Sequence, residues 1–514
     1  MPMVDPVMST RLPARSLNMT APCRRSKSLK DNQRLHREPS CHKLCQANPV
    51  WNAKIADMQN AAQLRLFPIT WPIFVENLFM VLMALFGFWL TSRISDGAVA
   101  TFGLVGQIFG ALQILFRVIS IGASVVVTQH HGAGDKAGAR RVACTGLAAS
   151  AWVGLATLLL LGLGSAPILV AMHLPAELMP IGVPYMTVLG LALLFDAVSM
   201  TMIAVLRAFT YTRESIKIVL GMNLAQVLLS VPLMLGIGSW DDWGLPGMAL
   251  AMAISRVCAV ALAWRVWRQW LGITLRAGDW LRLQRAPLAA ILHIGLPGAG
   301  EKVAWRVSFI ISVAMVASLG QAALAAHAYV FQAVQLVTLF TNSVGFGTEI
   351  LVGHHVGAGR LREANRLLWR ATWWGLAAIM ICALLSAWLT PVVVGKLTAD
   401  PEILKLVGLI VLIELGLEFG RTFNIVVTSG LRASGDARFP VKVSAVSVFV
   451  FGVGLAWLCG VHWGWGLAGI WVGYAADECC RGFAMAGRWM AGGWVQHARH
   501  TRRRILQHMK RPSA

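Results

Sequence analysis

"HHGAG" at residues 130–134 and "HHVGAG" at 354–359 are near copies of one phrase, and the distance between them decides how the chain folds. Aligning the two GAG triplets, 132–134 and 357–359, sets an offset of 225 residues. Held constant, that offset lays Pro72 on Pro297, Glu76 on Glu301, Ala100 on Ala325, Gln107 on Gln332, Gly122 on Gly347 and Arg141 on Arg366. It then brings "LRA" at 206–208 onto "LRA" at 431–433 and Arg213 onto Arg438. After a three-residue adjustment, "GLPG" at 244–247 meets "GLAG" at 466–469. One register sustained this far means that the chain is an internal duplication.

Composition says what has been duplicated. Of the 514 residues 57% are hydrophobic and only 13% charged, whereas about a quarter of a soluble domain is charged. The mean hydropathy is +0.63. Apolar stretches such as 66–90, 98–116, 142–163 and 371–389 are long enough for a helix to cross a hydrocarbon core of ~30 Å. Lipid offers the backbone no hydrogen-bond partner, so continuous apolar runs mean helices rather than open strands. The reading gives twelve spans: 66–90, 98–126, 142–163, 181–206, 216–238, 246–267, 291–319, 323–350, 370–390, 403–430, 441–460 and 467–488. The fold class is therefore an all-α polytopic membrane protein, with twelve transmembrane helices in two six-helix bundles. An even number of spans per half keeps both copies in one orientation, and parallel repeats of this kind hold substrate between the halves near the midplane. Domain limits follow: a basic tail over 1–60, bundles over 61–267 and 291–488, a linker over 268–290 and a second basic tail over 489–514.

The net charge of +22 follows the loops. Lys136, Arg140, Arg141, Arg207, Arg213, the run Arg265 to Arg285, Arg360, Arg362, Arg366, Arg438 and Lys442 fall on one side; the other has only Arg93 and Lys396. Basic loops stay cytoplasmic, so both termini are expected there. This pattern argues against nucleic acid as a partner and for anionic lipid headgroups beside "RHTRRRILQHMKR". Residues 1–60 lack the apolar segment of a secretory signal, and "CHKLC" at 41–45 reads as part of an unstructured tail. The repeated phrase itself reads as a tight basic loop after the second span of each half, its glycines allowing positive φ. Too few acids or cysteines stand near its histidines in sequence to complete a metal site, which makes them loop and interface residues. Trp240, Trp243, Trp267, Trp463, Trp465, Trp489 and Trp494 stand at span ends, where interface anchoring is expected.

Ionisable groups inside spans are expensive and mark function or bundle-holding pairs. Glu76 and Glu301 each follow a proline, Pro72 or Pro297, by one helical turn, and a proline frees a carbonyl and loosens the helix. A carboxyl beside such a kink can exchange a proton as the helix changes shape; the alternative is a hydrogen bond that ties spans together. In "IELGLEFGRTFN", Glu414, Glu418 and Arg421 share one helix stripe, so Glu418 can pair with Arg421 and leave Glu414 the freer acid. Asp196 falls on Arg421 at the repeat offset, which raises the expectation that the two face each other across the cleft. Asp477 and Arg481, one turn apart, read as an ion pair. Lys302 and Arg306 need anionic partners or signal an anionic group on the substrate.

These residues resemble the multidrug and toxic compound extrusion (MATE) family of cation-coupled antiporters. The resemblance covers about 66–490 and rests on "VTQHHGAGD", "ILVGHHVGAG" and "LRASGDARFP", with support from "PIFVEN", Asn223 and the closing "DECCRGFAMAGRWMAGGW". It implies a V-shaped bacterial inner-membrane transporter, a monomer without cofactor, that exports amphipathic and often cationic small molecules or drugs in exchange for protons or sodium ions. Three positions depart from the family pattern: Gly87 and Val227 replace acids of spans 1 and 5, and Trp305 replaces a Glu of span 7. Coupling is then expected at Glu76, Glu301, Glu414, Glu418 or Asp196, and substrate contact at Gln107, Gln332, Asn223, Trp305, Arg421 or Asn424. A flippase or exporter of lipid-linked saccharides in the same superfamily is the alternative, kept open by Arg117, Lys302 and Arg306. A membrane-embedded enzyme would need a clustered nucleophile, metal or acid pair in one catalytic motif, and none is found. No G-x-x-x-x-G-K-[ST] loop appears, so ATP is not the direct fuel.

Overall fold

The computed structural model describes residues 66–236, 242–273 and 283–510; the N-terminal tail with its CHKLC cluster, and Trp240, lie outside them. The described residues form α1 (Leu66–Thr91), α2 (Asp96–Gly132), α3 (Lys136–Ala171), α4 (Met179–Ala208), α5 (Thr212–Leu235) and α6 (Gly244–Val266) in the first half. The second half has α7 (Arg285–Ser318), α8 (Gln321–Ala358), α9 (Leu361–Leu397), α10 (Pro401–Ser434), α11 (Arg438–Ser447, continued to His462 mostly through wider π-type turns) and α12 (Gly466–Met490). A further helix, α13 (Gly493–Lys510), follows. Among the described residues nine helices are long and apolar enough to cross a membrane. Of the four remaining helices, α13 is strongly basic, and α7, α10 and α12 carry Glu301 and Lys302, Glu414 and Glu418, and Asp477 and Glu478. On α9 the outward stripe includes Trp374 at 70% exposure, Ile381 at 67% and Trp388 at 69%, a surface that lipid would cover favourably.

Local chemistry sets the boundaries. Ser95 caps α2 by accepting from Ala98 N, and Asp135 caps α3 by accepting from Gly138 N at 2.8 Å. Gly359 (φ 78°) and Gly435 (φ 97°) end α8 and α10 in the left-handed region, where a side chain would be strained.

The two halves are not self-contained. Ile291 and Ile294, at the start of α7, belong to the apolar core built by α2, α3 and α4 of the first half. Leu66, at the start of α1, packs with Val344, Ala371 and Val426 of the second. The exchange obeys the repeat: a Cβ on Gly122 would strike the Ile291 carbonyl, and one on Gly347 would strike the Thr70 hydroxyl. Each half therefore lends the start of its first helix to the other, and the contact continues past the proline in α1, where Asn77 Nδ2 donates to Ser343 at 3.0 Å.

The repeated phrase closes the same interface: its last glycines, Gly134 (φ 80°) and Gly359 (φ 78°), make the positive-φ turns, but its histidines stand in helix rather than in a loop. His130, His131 and Gly132 form the last turn of α2, and His354 to Ala358 the last turn of α8. The helices persist to their ends because they pack backbone to backbone. A Cβ on Gly132 would collide with the carbonyl of His354, and one on Gly357 with the carbonyl of Gln129. Gln129 Nε2 donates to Ala433 O at 2.8 Å, and His354 Nε2 bonds Ala208 O at 2.8 Å. Residues 129 and 354 are repeat equivalents, as are 208 and 433, so the seam is built twice around a pseudo-twofold axis. His131 stacks edge-on against His354 and Phe209 within it, and His130 pairs with the capping Asp135 at 2.9 Å.

The basic C-terminal segment folds as α13. Its stripe of Trp494, Ala498 and Ile505 is buried, while Arg499, Arg502, Arg503 and Arg504 stay exposed. Trp494 stacks on Trp489 with centroids 4.0 Å apart, and its indole nitrogen donates to the Trp489 carbonyl. Trp267, Trp489 and Trp494 are thus core residues rather than interface anchors, because each indole N–H finds a protein acceptor. Trp243, Trp463 and Trp465 remain exposed at helix ends.

Candidate transport site

A cavity of about 560 Å³ is lined by α1, α2, α4, α5 and α6 and bounded by Phe346, Glu349 and Ile350 of α8. That volume suits a drug-sized molecule. Methionines and phenylalanines make up much of its apolar wall, including Met80, Met83, Phe102 and Met252. Glu76, Gln107, Asp196 and Asn223, four of the residues singled out by the sequence, line it.

The acids of this cavity are all matched. Glu76 is clasped by the guanidinium of Arg207 and by the Ser215 hydroxyl. Asp196 accepts from Arg256 Nε at 2.6 Å and from Gln113 Nε2 at 2.6 Å. Glu349, 3% exposed, pairs with Arg432 at 3.1 Å. Asp196 therefore does not face Arg421 across the cleft; Arg256, on the adjacent α6, is nearer and takes it. Glu76 is held as a bundle-binding ion pair, and removing one partner of such a buried pair costs about 3–5 kcal/mol. The repeat breaks at this point. Arg432, the copy of Arg207, turns to Glu349 rather than to Glu301, and Glu301 Oε2 is left buried without a hydrogen-bond donor.

The second half gathers its charges between α10 and α12. Arg421 donates to Glu418 at 2.5 Å and to Thr338 at 2.7 Å, and its Nε lies 3.4 Å from Glu478. Glu478 also accepts from Asn424 at 2.9 Å and lies 3.0 Å from Arg481, which pairs with Asp477 at 2.5 Å. Glu414 is fully buried one turn from Glu418, and neither of its carboxylate oxygens has a hydrogen-bond partner. Arg421 and Asn424 thus belong to the charge network rather than to the cavity wall. Trp305 stacks on Phe309 at 5.3 Å, and Gln332 is exposed; neither lines the cavity.

Sequence reasoning missed Glu349 and Arg256 as site residues. The signal was available, since each is a charged residue inside an apolar span. Gln113 carried no comparable mark.

Comparison with known proteins places these features in a lineage. The family model MatE matches residues 72–235 and again 297–458, two stretches that begin on the equivalent prolines. The uncharacterized transporter YisQ of Bacillus subtilis is 30% identical over 431 residues, 84% of this chain and 95% of the relative. A Pseudomonas aeruginosa protein named "Probable multidrug resistance protein NorM" is 28% identical over 440 residues, 81% of this chain and 87% of its own. Among solved structures, a point mutant of the Vibrio cholerae MATE transporter VcmN superposes with a TM-score of 0.76 at 19% identity, covering 86% of this chain and 98% of that one.

Proposed function

The chain belongs to the MatE family, and from that premise we propose that it is a secondary active exporter. It moves amphipathic organic small molecules out across a bacterial inner membrane in exchange for protons or sodium ions, with both termini cytoplasmic. The relatives named as multidrug resistance proteins support export of small molecules, and the cavity volume fits such a substrate. The observation that carries the coupling is Glu414. It is an acid with no exposed surface and no donor, one turn from a second acid, in the half opposite most of the cavity wall. Gain or loss of a single charge there changes the energy of the surrounding bundle by several kcal/mol, which is the coupling free energy that an ion gradient needs to drive a conformational change. Glu301, also with an oxygen left over and within electrostatic reach of Arg481, is the second coupling acid.

Dye efflux from inverted vesicles, energised separately by a pH gradient and by a sodium gradient, tests the reading. One of the two gradients should drive wild-type transport, and Glu414→Gln should abolish it while the protein remains folded in the membrane. Equal gradient-driven rates for wild type and Glu414→Gln would remove Glu414 from coupling; no response to either gradient would refute secondary transport.

A further inference from the structure

The charges around the cavity do not balance, and the surplus is positive. Its three carboxylates each have an arginine: Glu76 has Arg207, Asp196 has Arg256 and Glu349 has Arg432. Arg117, on the α2 wall, makes no ion pair among the described residues, and its Nη2 lies 4.0 Å from the Met80 sulfur. Asp196 attracts it from a distance while Arg207 repels it. Two more cations approach from α7. Lys302 and Arg117 repel one another, and Arg306 crosses from the second half to donate to Gln107 on the cavity wall. Neither α7 cation forms an ion pair among the described residues, although Glu301 lies within electrostatic reach of Lys302.

An organic cation entering this space meets no unmatched carboxylate on the wall, whereas an organic anion meets an unmatched guanidinium. Guanidinium hydrogen bonds to an ionised acceptor are among the strong ones, and a desolvated arginine beside an apolar wall gains most from such a counter-ion. Resting on the exporter reading above, we propose that the cavity accepts an amphipathic organic anion. Its carboxylate, sulfonate or phosphate head pairs with Arg117, and its apolar body lies against Met80, Met83, Phe102 and Met252. Arg306, held by Gln107, stands where it can draw the head group in from the cleft between halves.

Three probes with one aromatic body separate the head groups: pyrene-1-sulfonate, pyrenylmethanol and pyrenylmethylammonium. Titrated by fluorescence anisotropy into the purified full-length protein at pH 7.5 and low salt, the sulfonate should bind at least ten times more tightly than the ammonium. Arg117→Gln should weaken the sulfonate at least tenfold and leave the neutral probe within twofold, and Arg117→Lys should recover part of the loss. Preference for the ammonium, no binding of the sulfonate, or indifference to Arg117→Gln in a folded variant would each overturn the proposal. The wild-type preference decides the matter even where the variant fails to fold. Displacement of the sulfonate by equimolar phosphatidylglycerol would assign the site to a lipid headgroup and also overturn it. Gradient-driven flux of the same probes in proteoliposomes keeps the two readings apart. A pumped ammonium with no sulfonate binding leaves the exporter standing, whereas sulfonate binding without flux of any probe removes only the exporter.

Discussion

The seam between the ends of α2 and α8 makes a quantitative prediction. Gln129 and His354 are 3% and 7% exposed, and each supplies the side-chain donor to a carbonyl at the end of a helix in the other half. Gln129→Ala and His354→Ala each leave a buried carbonyl without a donor, at a cost of about 1–3 kcal/mol. Taking about 1.5 kcal/mol for each, the double variant loses about 3 kcal/mol from the state in which this end is closed. That is roughly two orders of magnitude in the ratio of closed to open molecules. The two sites share the seam, so the losses are not expected to add fully. Spin labels at Ala137 and Arg362, exposed repeat equivalents at the starts of α3 and α9, report the distance between halves by double electron–electron resonance. Wild type should give one short distance; the double variant should add a longer population, with each single variant between. An unchanged distance distribution with a lowered Tm would mean that the bonds only support the bundles, and would refute their role in holding this end shut.

Arg432→Gln leaves Glu349 buried without its partner and should lower stability by about 3–5 kcal/mol, read as a large fall in Tm, with part of the loss recovered by adding Glu349→Gln. Gly357→Ala should be worse tolerated than Gly487→Ala, because the first methyl meets the Gln129 carbonyl and the second meets open space; equal expression and Tm would contradict the backbone-to-backbone packing. Trp494→Ala removes a ring 3% exposed and stacked on Trp489, at about 3–5 kcal/mol of local stability, and limited proteolysis should then release α13 before any other segment. Cysteines at Ala137 and Arg362 should react with impermeant thiol reagents in inverted vesicles and not in intact cells; labelling from outside would reverse the orientation.

Hydropathy and repetition are local patterns, so the sequence alone determined that the chain is helical, duplicated and membrane-spanning. A register of 225 residues needs no coordinates to be counted, and it carried over to the atomic detail of the seam, where Gln129 and His354 make matching bonds. Residues that share a helix face were also legible, as with Glu418 beside Arg421 and Asp477 beside Arg481, because 3.6 residues per turn places them. Partners on different helices were not legible. Arg207 and Arg432 occupy the same place in the repeat, yet one holds Glu76 and the other Glu349, and this choice leaves Glu301 with a bare oxygen. Asp196 found Arg256 rather than Arg421 for the same reason: which guanidinium is nearest depends on how helices far apart in the chain are rotated and stacked. Hydrophobicity fixes that a face is buried, not against what. The crossing of α1 and α7 into each other's bundles, and the positive surplus left at Arg117, therefore exist only in the tertiary structure.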